Sequence, residues 1–100
     1  MSIGYVREKL WQALDVLVRA GSVQERLVYA ADYLLRVKAD EIPQPQRGEF
    51  EAVMHTLTKH PAEREGEGSI HASVRKLTDA EGSALAQKIL SIYIDLRDGI

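Results

Sequence analysis

The sequence predicts a small all-α domain: four principal helices and one short helix, packed as a single bundle across residues 1–100. Three observations carry this. Apolar residues recur at helical spacing through four long segments. Two Ser/Thr-x-x-Glu sequences mark helix starts. No stretch combines period-two alternation with hairpin turn residues. Orthogonal and up-down packings both remain open.

The first helix is expected from Ile3 to Ala20. Ile3, Val6, Leu10, Leu14 and Leu17 line one side, with Trp11 and Val18 widening it. Gly21 ends it, because glycine takes a left-handed conformation without a Cβ penalty. Ser22 to Glu25 then reads as a capping box opening the second helix, whose inward residues are Val23, Leu27, Ala30, Ala31 and Leu34. So short a junction makes the two helices antiparallel or sharply crossed neighbours.

Pro43 and Pro45 break the chain between Ala39 and Pro45, and Ile42 is expected to plug the linker into the core. The third helix starts between Pro43 and Gln46 and runs to Lys59 on a stripe of Phe50, Val53, Met54 and Leu57. Gly48 lies inside it, at a cost of about 1 kcal/mol against alanine. It marks either a close packing contact or a late helix start. Residues 60–68 carry Pro61, two glycines and alternating charge, and read as a mobile loop. Ser69 is the expected cap of a short helix containing Ile70, Val74 and Leu77. Thr78 to Glu81 is the second capping box and opens the final helix, with Gly82 in its first turn.

That last helix carries more apolar residues than one buried face needs. At 100° per residue, Ile89, Ile92 and Leu96 fall within about 40° of Leu85, while Leu90 and Ile94 fall near 140° and 180°. Leu90 and Ile94 are therefore the candidate contact of a homodimer, unless a neighbouring helix of the same chain covers them.

With 45% apolar and 28% charged residues, the chain has the balance of a folded cytoplasmic protein. It contains no cysteine, which excludes disulfides, thiolate metal sites and a cysteine nucleophile. The stretch from Met1 to Tyr5 lacks the charged and apolar regions of a leader, and no apolar run is long enough for a membrane span. The formal charge is −2, with neither half of the chain strongly basic, and this argues against nucleic acid as a partner. A DNA-binding regulator stays as the alternative, since the second helix follows the first through a short turn. Glu25 and Asp32 weaken it by intruding on the exposed side.

No catalytic constellation stands out, and no cofactor is implied. His55 and His60 are five residues apart and do not share a helical face. His60 and His71 can meet across the charged loop near Glu63, Glu65 or Glu67, but a solvated surface role suits each histidine better. Asp95 and Asp98, three apart near the final turn, read as a frayed helix end in water, with an acidic tip facing a partner as the alternative. Ser22, Ser69 and Thr78 read as caps, not nucleophiles. An enzyme would need an acid/base or metal site assembled without a motif. The second helix offers a polar-aromatic surface instead. Tyr29, Tyr33, Arg26 and Arg36 lie away from the Leu27 stripe, and tyrosine and arginine are the residue types enriched at interaction hot spots. These four are the candidate partner-binding residues of a non-enzymatic protein-interaction or regulatory module.

Overall fold

The first two helices form an antiparallel hairpin, onto which the rest of the chain is layered. A computed structural model describes residues 3–98; Met1 and Ser2, which begin the stretch read for a leader, lie outside them, as do residues 99–100. The helices are α1 (Ile3–Leu17), α2 (Val23–Leu34), α3 (Gln44–Thr58), α4 (Ser69–Arg75) and α5 (Asp79–Asp98), with a 3-10 turn at Ala39–Glu41. There is no strand among the described residues, and the all-α bundle of four principal helices and one short one is the observed fold.

α1 and α2 run antiparallel. Arg26 in α2 donates to the Leu17 carbonyl at the end of α1, while Lys9 lies 6.0 Å from the ring centroid of Tyr33 near the end of α2. Gly21 turns the chain between them at φ +111°. The helix stops at Leu17, short of the expected Ala20. Trp11 and Val18 do not widen the buried stripe either, being 55% and 80% exposed. The reason is the direction from which α2 approaches. It lies on the Lys9 side of α1, and helical spacing puts Ala13 and Val16 on that same flank. Those two are buried, and the Trp11–Val18 flank is left outside.

α2 begins with the expected capping box: the Glu25 N–H donates to Ser22 Oγ at 3.0 Å and the Ser22 N–H to Glu25 Oε1 at 3.2 Å. All five of its predicted inward residues are buried. At this end α2 also meets the α4–α5 junction, where Gln24 Nε2 donates to the Leu77 carbonyl and to Asp79 Oδ1, both at 3.0 Å. The second capping box forms as well, between Thr78 and Glu81. One turn later, Gly82 packs on α2 so closely that a Cβ there would stand 2.8 Å from Val23 Cγ1.

From that seat α5 runs back along the molecule. Leu85, Ile89, Ile92 and Leu96 are buried, and the Leu96 carbonyl accepts from Arg7 Nε and Nη2 at 3.0 and 2.8 Å. The start of α1 therefore meets the end of α5. α3 supplies Phe50, Val53 and Leu57 to the core, and Ile42 plugs the linker before it as predicted; Met54 is only half-buried. α4 starts at Ser69 with Gly68 as its cap, not with Ser69 capping, because Gly68 holds the extended capping conformation (φ −104°, ψ 177°). The radius of gyration, 13.1 Å, matches the value of about 13 Å for one compact domain of this length.

Gly48 fulfils neither expectation attached to it. It lies within α3 proper, exposed, and an added Cβ would meet nothing within 4 Å. Gly48→Ala should therefore raise stability by about 0.5–1 kcal/mol through reduced unfolded-state entropy. Urea unfolding of the two proteins measures this, and a loss of stability would mean that the position packs against something.

Candidate functional site

The outer face of α2 forms the floor of a groove of about 780 Å³. The end of α1 and the turn after it make one wall through Val16, Arg19 and Ala20; Ile70 and His71 at the start of α4 make the other. Val28, Tyr29, Asp32 and Tyr33 lie between. Three of the four candidate residues on α2, Arg26, Tyr29 and Tyr33, line this one concavity. The helical wheel identified the face. It gave no indication of the walls, which are set by where α1 stops and α4 starts.

Tyr29 is the most open of the four, 67% exposed. Tyr33 is half-buried, its ring centroid 6.0 Å from both Lys9 Nζ and the Arg36 guanidinium, at the outer edge of cation–π range. Arg36 also pairs with Asp32, one helical turn back, at 3.4 Å. Arg26 also makes contacts within the chain. Its Nε donates to the carbonyls of Gly21 and Ser22 at 3.1 and 3.3 Å, and its Nη1 to that of Leu17. These bonds use the Nε hydrogen and one Nη1 hydrogen of a guanidinium that carries five donors. It covers the C-terminal end of α1, where unpaired carbonyls and the helix dipole favour a cation.

Sequence reasoning missed two further arginines that act in the same way. Arg7 covers the end of α5 through Leu96, and Arg47 Nε donates to the carbonyls of Ala39 and Ile42, both at 3.1 Å, closing the linker before α3. Both partners are non-local or cross-element, so no spacing rule marks them. Ser73 was missed too. It is buried, and its Oγ accepts the His60 N–H at 2.9 Å, tying the chain after α3 to α4.

The charged stretch leading to α4 is organised by one carboxylate. Glu67 accepts from the N–H groups of Glu63 and Arg64 at 2.9 and 3.1 Å and from Arg75 Nε at 3.1 Å. Glu63 in turn pairs with Lys76 at 2.7 Å. The backbone N–H of Glu63 is the main reason that the Glu67 carboxyl titrates below the ordinary range; for Glu63 the main cause is the hydrogen bond from Lys76. Glu81 is lowered by the Thr78 backbone N–H of its capping box. Glu63 and Glu67 are thus turned toward cations, and no group of three His, Asp or Glu side chains is placed to hold a metal ion among the described residues. His55 and His71 are exposed.

Leu90 and Ile94 lie on the outer side of α5, 44% and 37% exposed. Asp95 follows Ile94 on the exposed surface, and the Asp98 carboxyl is held below its usual range chiefly by the Arg97 hydrogen bond, at 2.8 Å. No helix among the described residues is long and apolar enough to cross a membrane. No protein-family model matches the chain, and no curated protein or solved structure is significantly similar to it.

Two outcomes follow from this geometry. Arg26→Met should lower stability by about 1–2 kcal/mol, because it strips charged donors from the end of α1, whereas Tyr29→Ala should leave unfolding nearly unchanged; equal effects in denaturant melts would contradict the distinction. Glu63, Glu67 and Glu81 bind protons less readily when folded than when unfolded. Their stabilisation is complete above the unfolded value of about 4.3 and is lost as pH falls through the lower folded values. Thermal melts from pH 7 to pH 3 should show this decline, and Glu67→Gln should flatten part of it; a variant with the same acid profile as wild type would contradict the role of that carboxylate.

Proposed function

We propose that this protein is a non-enzymatic protein-interaction or regulatory module of the cytoplasm, able to associate with other proteins and with itself. The observation that carries the reading is the groove across α2, with Tyr29 standing 67% exposed between two walls. A tyrosine offers broad apolar contact with a polar tip at small entropic cost, and hot spots concentrate in such concave, partly apolar places. Val28 and Ile70 add half-buried aliphatic surface, and Arg19 and His71 supply a polar rim. A cysteine-free chain suits the reducing cytoplasm, where disulfides would not contribute.

Photo-crosslinking tests this directly. A photoreactive residue at position 29, with a control at the exposed Glu51 of α3, is incubated in native cell extract. The reading expects discrete protein adducts at position 29 that are absent at position 51 and are lost on adding Tyr33→Ala. Identical adducts at both positions would defeat the groove as a docking surface. Tight, sequence-specific binding in a salt-dependent mobility assay would replace the reading with a DNA-binding regulator.

A further inference from the structure

The stretch between α3 and α5 is tied to itself. Its side-chain bonds all close within residues 60–76: the His60 N–H donates to Ser73 Oγ, Glu67 accepts from the N–H groups of Glu63 and Arg64 and from the Arg75 guanidinium, and Glu63 pairs with Lys76 at 2.7 Å. Among the described residues, no hydrogen bond or ion pair joins this stretch to α1, α2, α3 or α5. What seats it is apolar. α4 packs on α2 and α3 through Ala72 and Val74, both buried, with Ile70 half-buried beside the groove. We infer that residues 60–76 form a flap that lifts from the bundle as one unit between Lys59 and Leu77, and that it carries the α4 wall of the groove with it.

Lifting the flap breaks none of the bonds that shape it. Rotation within Leu77 leaves its carbonyl on Gln24 and its N–H on the Val74 carbonyl, each at 3.0 Å. At the other end the His60 N–H is held by Ser73, so a turn after Lys59 leaves that bond intact. A seven-residue helix does not persist by itself in water, and the Glu67 and Ser73 ties supply the support that the bundle gives up. α2 seats five apolar side chains and α5 four, against the two that α4 buries fully. Elements with few buried apolar contacts open well below the free energy of global unfolding. Ile70 and His71 ride on the flap, so the groove has both walls only while it is seated. The inference rests on the interaction-module reading for what the groove receives, and the opening itself does not.

Because the chain has no cysteine, a single introduced thiol reports the opening without background. Ala72→Cys places one beneath the flap and Ala30→Cys one inside α2; both positions are fully buried. Labelling of the full chain with iodoacetamide, an uncharged reagent, should be at least about tenfold faster at position 72 than at position 30. It should also accelerate less steeply with urea, because less surface is exposed when only the flap lifts. Val74→Cys should give the same opening constant, as a single unit requires, and it takes the place of Ala72→Cys if circular dichroism shows that variant unfolded. Raising sodium chloride should leave both rates unchanged, since the ion pairs stay within the flap. Labelling at positions 72 and 74 no faster than at position 30 would mean that the segment opens only with the whole domain. A rate that climbs with salt would mean that ion pairs seat it. Either result overturns the inference, and the crosslinking at position 29 still judges the groove. Fast labelling without crosslinks at position 29 defeats the groove reading and leaves the flap standing.

Discussion

The closeness of α5 to α2 at Gly82 sets the rest of the architecture. A residue with any side chain at that point would meet Val23, whose branched side chain has little rotameric freedom within a helix. With glycine there, the first turn of α5 seats directly on the first turn of α2, and Gln24 locks the junction through Leu77 and Asp79. α5 then lies across the bundle with its Leu85–Leu96 row inward, until Arg7 receives its far end. α2 serves as the common base. Its buried side is crowded with Leu27, Ala30, Ala31 and Leu34, and the two alanines let helices approach where larger residues would hold them apart.

The same arrangement explains why apolar side chains stay open on the outer sides of several helices. Five helices built from so few residues enclose one core, and each helix gives that core one side. α1, α2 and α5 carry apolar or aromatic groups on a second side as well. On α2 that side is flanked by the end of α1 and the start of α4, which produces the groove; on α5 it leaves Leu90 and Ile94 partly exposed. Arginines finish the exposed helix ends. Arg7, Arg26 and Arg47 each place a guanidinium on backbone carbonyls at the end of a helix or at a turn.

What the sequence made legible follows from the range of each interaction. Both capping boxes, the α2 stripe and the Ile42 plug depend on residues within a few positions of one another, and each was predicted as it is found. The exposed pair on α5 was legible for the same reason, as a departure from helical periodicity. Trp11 and Val18 were misplaced because the direction from which α2 reaches α1 is a tertiary fact, and the wheel of α1 is compatible with either flank. Gly82 and Gly48 illustrate the same limit. Both sit in helices and look alike in sequence, yet one is pressed against Val23 and the other faces open space. For the candidate site, Tyr29 and Tyr33 were found from the face they share. The groove walls and the Ser73 contact arise from packing between elements that no local pattern encodes.

The seat of α5 on α2 is tested most directly by a double-mutant cycle on Gly82 and Val23, read by urea unfolding. Gly82→Ala by itself should cost about 1–3 kcal/mol through overpacking. In a Val23→Ala background the added methyl has room, and the same substitution should be neutral or slightly stabilising, as alanine for glycine in a helix normally is. A cost for Gly82→Ala that is the same in both backgrounds, within about 0.5 kcal/mol, would mean that the two sites are independent and that the close seat does not exist.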